Sequence, residues 1–358
     1  MIPLTRPRMG DAEERAVLEV LRSGRLVQGE RVERFESLVA ELTGRAHAVA
    51  VSRGTSALEL ALTVLDVGPG DDVLVPDLTW PSPAHAVRLR GARPVLVDVD
   101  AREWNATAES FAAARTEQTV AAIAIDQLGF PARHDAIAAA LPGVALVEDA
   151  ACALGARYLG RPCGGFGAIA CASFHPRKVV VTGEGGMCLT DDAALAARLR
   201  RLRNHGQDAP GVFTEPAGNH RMTELAAAIG IVQLEDLAGR IHARARLAAR
   251  YRAALPSLRF QEPAEDAEPS YQTMGAVLPD GLSRDTTRDE LRARGVEAGL
   301  LSYALHRLPS LDGHAGGPFP AAERLADRAI ALPLWSGLGE RDQDRVIAAL
   351  SLILPAEP

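Results

Sequence analysis

Seven short runs along the chain are apolar at nearly every position and rich in valine and isoleucine: HAVAVS (47–52), VLVP (73–76), PVLVDV (94–99), VAAIAID (120–126), VALVED (144–149), AIACASF (168–174) and GMCLT (186–190). A strand with one wet face alternates apolar and polar residues. Runs without alternation belong to strands covered on both faces, the usual situation in a parallel sheet. Between the earlier runs lie segments with helical spacing, TSALELALTVL (55–65) and PARHDAIAAAL (131–141). The alternation predicts an α/β fold with a mostly parallel sheet and helices on both sides. Near the start, Asp11 followed by Glu14 reads as the capping-box opening of a helix, and Gly24 as its stop.

Past the last run, residues 221–255 carry one long helical pattern in which Leu234, Leu237, Ile241, Leu247, Tyr251 and Leu255 keep a single apolar face. Such a helix bridges two domains. Beyond Pro256 come the Pro- and acid-rich stretch QEPAEDAEPS (261–270), a strand MGAVL (274–278), a helix TTRDELRARG (286–295) and a last helix starting near Glu340. A chain of 358 residues exceeds one compact domain of ordinary size. The expected division is a large α/β domain over 1–240 and a smaller α+β domain over 241–358.

Composition changes this picture in four ways. The net charge of -7 leaves no electrostatic footprint for nucleic acid or an anionic membrane, so an anionic ligand must be held locally. The first residues lack a signal-peptide pattern and no eighteen apolar residues run together, which gives a cytoplasmic expectation. The four cysteines, Cys152, Cys163, Cys171 and Cys188, show neither C-x-x-C spacing nor a histidine pair; they read as small buried hydrophobes, with no metal site. Finally, of 39 Lys+Arg residues only Lys178 is a lysine. Arginine replaces lysine wherever a solvated cation suffices, and fails only where the amine must lose its proton and act as a nucleophile. Compositional drift and Schiff-base chemistry both account for a lone lysine, and its surroundings must decide.

In an open parallel sheet, ligands bind beyond the carboxyl ends of the strands. Four features fall there. Gly54-Thr55-Ser56 joins the first run directly to a helix, a turn whose free N–H groups make a phosphate site. Asp149, with Glu148 beside it, follows a buried run; it serves either to cap the next segment or, with a pyridine cofactor, to keep the ring nitrogen protonated. Ser173 ends another run, five residues before Lys178. TGEGG (182–186) then makes a tight turn whose glycines are structural. Together these supply an amine, a ring-nitrogen partner and a phosphate cradle at one edge.

The stretches GTSALELAL, PDLTWPSPAHAV, GARPVLVDVD, VEDAACALGARYLGRPCGGFG, SFHPRKVVVTGEGG, RLRNHG and GNHRMTELAAAIG resemble, in order and spacing, the DegT/DnrJ/EryC1/StrS-type sugar aminotransferases, pyridoxal-phosphate enzymes of the aspartate aminotransferase fold (type I). The likeness covers nearly the whole chain and is strongest from about residue 47 to 235. It implies a large domain with a mostly parallel seven-stranded sheet and a smaller C-terminal α+β domain, with pyridoxal 5'-phosphate as cofactor. It also implies that Lys178 carries the cofactor and shuttles the proton, that Asp149 pairs with the ring nitrogen, and that Gly54, Thr55, Ser56 and Ser173 hold the phosphate. Trp80 would stack on the ring. Asn219 would reach the phosphate of the neighbouring subunit, implying a homodimer with shared active sites. One residue departs from the pattern: Cys152 stands where the family often has glutamine, and a thiol is a poor donor to the ring hydroxyl. His175, His205 and His306 are candidate substrate contacts, or structural. The implied reaction passes an amino group from glutamate or glutamine to a keto sugar, nucleotide-linked, with a keto-cyclitol acceptor also open. Relatives that dehydrate sugars typically carry histidine at the lysine position, so Lys178 counts against dehydration, and the intact constellation counts against a non-catalytic regulator.

Overall fold

In a computed structural model that describes residues 1–313 and 316–355, each of the seven apolar runs is a strand and all seven join one sheet. They are β1 (His47–Val51), β2 (Asp72–Pro76), β3 (Arg93–Val97), β4 (Thr119–Ile125), β5 (Ala145–Asp149), β6 (Ile169–Ser173) and β7 (Gly186–Thr190). Their order across the sheet is β1-β7-β6-β5-β4-β2-β3. Strands β2 to β6 pair in parallel. Only β7 runs against its neighbours, β1 and β6. A parallel return needs a crossover, usually a helix, and the segment between β6 and β7 has none. That segment carries Lys178 instead.

Absence of alternation has the expected meaning: the consecutive residues Val73, Leu74 and Val75 of β2 are all fully buried, as are Ala121 to Ala124 of β4. Register then brings three strand ends together. Gly186, the first residue of β7, lies opposite both Val51 of β1 and Ser173 of β6. No side chain fits there, because a Cβ on Gly186 would meet the Arg53 carbonyl oxygen at 2.4 Å.

The first helix, α1 (Asp11–Ser23), ends at Gly24 in the left-handed conformation, φ 69°, as expected. Its start differs from the Asp11–Glu14 reading. Gly10 is the cap, and its N–H donates to Glu13 Oε2 at 2.9 Å, because the third helical residue is the one that points back to the cap. The next helix, α2 (Glu30–Thr43), begins at Gly29, which has no side chain to cap it. The cap comes from almost two hundred residues away: Glu224 accepts the N–H groups of Gly29, Arg31 and Val32, each at 2.9 Å. A buried carboxylate there also opposes the positive end of the helix dipole.

The single helix expected over 221–255 is two. After α3 (Gly54–Val64), α4 covers Glu224–Glu235 and α5 covers Leu237–Ala254, with Asp236 between them at φ -109°, ψ 16°. The change of core comes after the break. Leu237 joins a core with Phe35 and Phe174, while Leu247, Tyr251 and Leu255 join another around a second sheet. The boundary expected at residue 240 falls inside α5. That second sheet is antiparallel, with strands β8 (Arg259–Phe260), β9 (Met274–Val277), β10 (Gly299–Leu300) and β11 (Ala329–Leu332) in the order β8-β9-β11-β10. The expected later helices lie at Arg284–Ala293 and Glu340–Ser351. The N-terminus reaches this second sheet region, where Ile2 donates its N–H to Gly295 at 2.7 Å. Among the described residues no helix is long and apolar enough to cross a membrane.

Replacing Glu224 by glutamine removes the charge from three backbone hydrogen bonds and turns an NH2 group toward N–H donors. We expect a loss of about 2 kcal/mol or more in urea-unfolding free energy. An unchanged midpoint would mean that the remote cap contributes nothing.

Candidate active site

At the carboxyl edge of the sheet, α3 starts directly from β1, and its N-cap, Arg53, offers no side-chain hydrogen bond. Among the described residues the N–H groups of its first turn have no side-chain partner, the arrangement that suits a phosphate. Hydroxyls surround this turn. Thr55 Oγ1 lies 2.8 Å from Ser82 Oγ, and Ser56 Oγ lies 3.3 Å from both Ser52 Oγ and His220 Nδ1. Ser173 closes the ring from β6: a Cβ on Gly54 would come within 2.8 Å of the Ser173 Cβ. Glycine at 54 is what lets strand β6 and the helix start approach so closely.

Asp149 ends β5, the neighbour of β6 in the sheet. It is 6% exposed, and its Oδ1 accepts the N–H of Ala151 at 3.1 Å. Its other oxygen accepts nothing from the described residues. Burial pushes the carboxyl up to about 6, against the opposing effects of the Ala151 hydrogen bond and the positive charge of Lys178. The next residue back faces the other side of the sheet. Glu148 accepts the N–H groups of Gly164 and Phe166 at 2.6 and 2.7 Å and is pushed up to about 8, chiefly by burial. It anchors a loop and takes no part in this edge. Asp126, at the end of β4, shares its Oδ1 with His134 Nε2 at 2.8 Å behind the same strands.

Lys178 follows β6 in a turn where its N–H donates to the His175 carbonyl at 2.8 Å. Its amine donates to Cys152 Sγ at 3.1 Å. Among the described residues that thiol is its only hydrogen-bond partner, and no carboxylate lies within ion-pair distance. The structure thus corrects the reading of the cysteines as a uniform set. Cys163, Cys171 and Cys188 are buried, whereas Cys152 is partly exposed and belongs to this edge because its turn follows β5.

The remaining candidates divide. Trp80, 58% exposed, lies in the loop after β2, with its ring against Tyr303 at 5.5 Å between centroids and 70° between planes. Pairing of Leu78–Thr79 with Tyr303–Ala304 brings the two rings together. His175 stays in its own turn, its Nδ1 accepting the Arg177 N–H at 3.2 Å, with burial pulling its pKa down. His205 is exposed, at φ 59°. His306 is held on both nitrogens, by Asp77 Oδ2 at 2.7 Å and Glu323 Oε1 at 3.3 Å, and stacks on Phe319. Those bonds give it a structural post. Asn219 is exposed, and no hydrogen bond ties it to the phosphate cradle of its own chain. Sequence reasoning missed Ser52, Ser82, His220 and Tyr303. Ser82 lies two residues from Trp80, but only the fold brings its hydroxyl to Thr55.

Three features fit a phosphorylated pyridine aldehyde: an uncapped helix start ringed by hydroxyls, a buried carboxyl with an unused oxygen, and an amine without an acidic partner. The chain is similar to the aminotransferase TlmJ from Streptoalloteichus hindustanus, with 35% identity over 99% of this chain and 100% of that one and a TM-score of 0.93. It is similar to DesV of S. venezuelae, with 33% identity, 97% and 95% of the two chains covered, and a TM-score of 0.92. It is also similar to the PLP-form of Spr1654 from Streptococcus pneumoniae, with 26% identity, 99% and 100% covered, and a TM-score of 0.93. The model of the DegT/DnrJ/EryC1/StrS aminotransferase family matches residues 7–351, and the chain belongs to that family.

Proposed function

We propose that this aminotransferase uses pyridoxal 5'-phosphate to pass the amino group of glutamate or glutamine to the keto carbon of a nucleotide-linked sugar. One observation carries the reading: the single lysine of the chain places an amine without an acidic partner at the same sheet edge as a buried carboxyl and an uncapped helix start. When bound, the cofactor supplies an electron sink for the pair left when a proton leaves the substrate carbon. The chain's own residues do the rest. Lys178 Nζ bonds the cofactor and moves the proton between carbon atoms. Asp149 holds the proton on the ring nitrogen. Gly54, Thr55, Ser56 and Ser173 grip the phosphate, with Ser52 and Ser82 completing the hydroxyl ring. Trp80 offers its open ring face for stacking. Cys152 meets the amine. Asn219, exposed on its own chain, completes the phosphate site of a second copy, so the working unit is a cytoplasmic homodimer.

Lys178→Arg keeps the charge and cannot supply a neutral amine. Borohydride treatment of the loaded protein fixes the cofactor to one internal peptide containing SFHPRKVVV, and the arginine variant shows neither attachment nor transamination. Turnover in that variant would refute the assignment.

Asp149→Asn separates function from stability. An amide cannot hold the ring proton, so we expect turnover to fall at least ~10²-fold. Stability of the cofactor-free chain moves the other way. The folded-state carboxyl titrates above its unfolded value, so the stability that burial of the neutral acid allows is complete below about pH 4 and is lost as pH rises through about 6. The asparagine variant should melt higher than the parent at about pH 7.5 and at the same temperature below about pH 4. A variant of equal or lower stability at the higher pH would show that burial does not strain this carboxylate.

If Asn219 serves a neighbour, sedimentation at assay concentration shows dimers or larger. A fully active monomer would remove both claims.

A further inference from the structure

The one lysine of the chain touches the one cysteine that solvent reaches. Cys163, Cys171 and Cys188 are 0%, 1% and 0% exposed. Burial holds the Cys163 thiol far up its titration range, and Cys171 is held up by its hydrogen bond with Cys188 and by burial. Such thiols stay protonated and inert. Cys152 is partly exposed, on a turn, and its sulfur lies 3.1 Å from Lys178 Nζ. The amine has no other hydrogen-bond partner among the described residues, so nothing else directs it away from the sulfur.

We propose that Cys152 and Lys178 form a modification site: in the cofactor-free chain, peroxide joins them through a reversible sulfur–nitrogen bond that blocks cofactor capture. In the first step the Cys152 thiolate attacks one oxygen of hydrogen peroxide. The O–O bond breaks, the sulfur is oxidised by two electrons to a sulfenic acid, and the departing hydroxide takes up the thiol proton as water. In the second step the lone pair of the neutral Lys178 amine attacks that sulfur. The S–O bond breaks, and the hydroxide leaves with an amine proton as a second water. The sum is thiol plus amine plus peroxide giving S–NH plus two waters. A thiol reductant reverses it by attacking the sulfur, returning the amine, and a second thiol then frees Cys152 with formation of the reductant's disulfide. The new bond is shorter than the present contact, and the flexible four-carbon stem of lysine supplies the movement. An arginine at 178 could not supply the neutral amine for this reaction.

The crosslink itself rests on geometry alone. Its suppression by cofactor rests on the reading of Lys178 as the cofactor-bearing residue, since a nitrogen already condensed with the cofactor is no longer a free amine with a proton to give up. The full-length chain, stripped of pyridoxal phosphate or loaded with it, is treated with hydrogen peroxide without thiols and followed by intact mass and tryptic mapping. The stripped chain should lose two hydrogens, about 2 Da. Peptide 134–157, which holds Cys152, should be joined to the peptide that starts at Lys178. Dithiothreitol should restore both the mass and the absorbance change on adding cofactor. Cys152→Ser, which keeps a small polar group, and Lys178→Arg should each abolish the product. Oxidation of Cys152 to sulfinic or sulfonic acid without the joined peptides overturns the proposal, as does the same mass loss in Cys152→Ser. If the loaded chain crosslinks as fast as the stripped one, the crosslink stands and the cofactor-bearing role of Lys178 falls.

Discussion

The carboxyl edge is organised around burial of the Asp149 carboxyl at the end of β5. A carboxylate at 6% exposure with one hydrogen bond is held against its preference for water, and burial pushes its pKa up to about 6. The sheet makes the position available. Parallel strands covered on both faces leave the end residue of a central strand in a dry floor, and the Asp126 N–H donates to the Asp149 carbonyl at 3.1 Å to hold that end in place. A cation placed against the free oxygen would relieve that strain, so in the proposed reading binding of a protonated ring and ionisation of the acid are linked.

Carboxylates elsewhere act as long-range clamps on backbone N–H groups. Glu148 accepts from Gly164 and Phe166, Glu224 from the first turn of α2, Asp77 from His306 at 2.8 Å, and Asp98 from Ala321 and Ala322 at 3.1 and 2.9 Å. Each satisfies donors that a loop or helix start would otherwise leave unpaired, and each does so across the sequence. Through Asp77 and the Leu78–Thr79 pairing, Trp80 and Tyr303 are held as one wall.

Lys178 is treated differently from several of the chain's arginines. Arg45, Arg93, Arg133 and Arg203 all lie in ion pairs of 2.8 Å or less, whereas the lysine amine is paired with a sulfur. A carboxylate partner would have to be displaced before the amine could react. Cys152 makes a weaker demand, and it replaces the glutamine that the family resemblance leads one to expect.

The seven strands, their burial on both faces and the helix after β1 were legible in the chain, because strand burial is written in local composition; the lone lysine among arginines marked the residue on which the proposed chemistry rests. Local pattern misplaced the α1 cap by a residue and ran α4 and α5 together. It also put Cys152 with the buried cysteines in the general reading of those residues and left His306 open as a substrate contact. These features depend on partners distant in sequence or on packing: two cores share 221–255, Lys178 lies against the thiol, and Asp77 and Glu323 flank the imidazole. Hydroxyls such as those of Ser52 and Ser82 carry no periodic signal, and they form a ring only because Gly54 and Gly186 let β6, β7 and the start of α3 close to within contact. The sequence by itself determined which strands form, since that depends on residue type and nearest neighbours, and it singled out one amine. Tertiary structure decided which groups meet, because a hydrogen bond or a close backbone approach depends on distances that the chain sets only once it is packed.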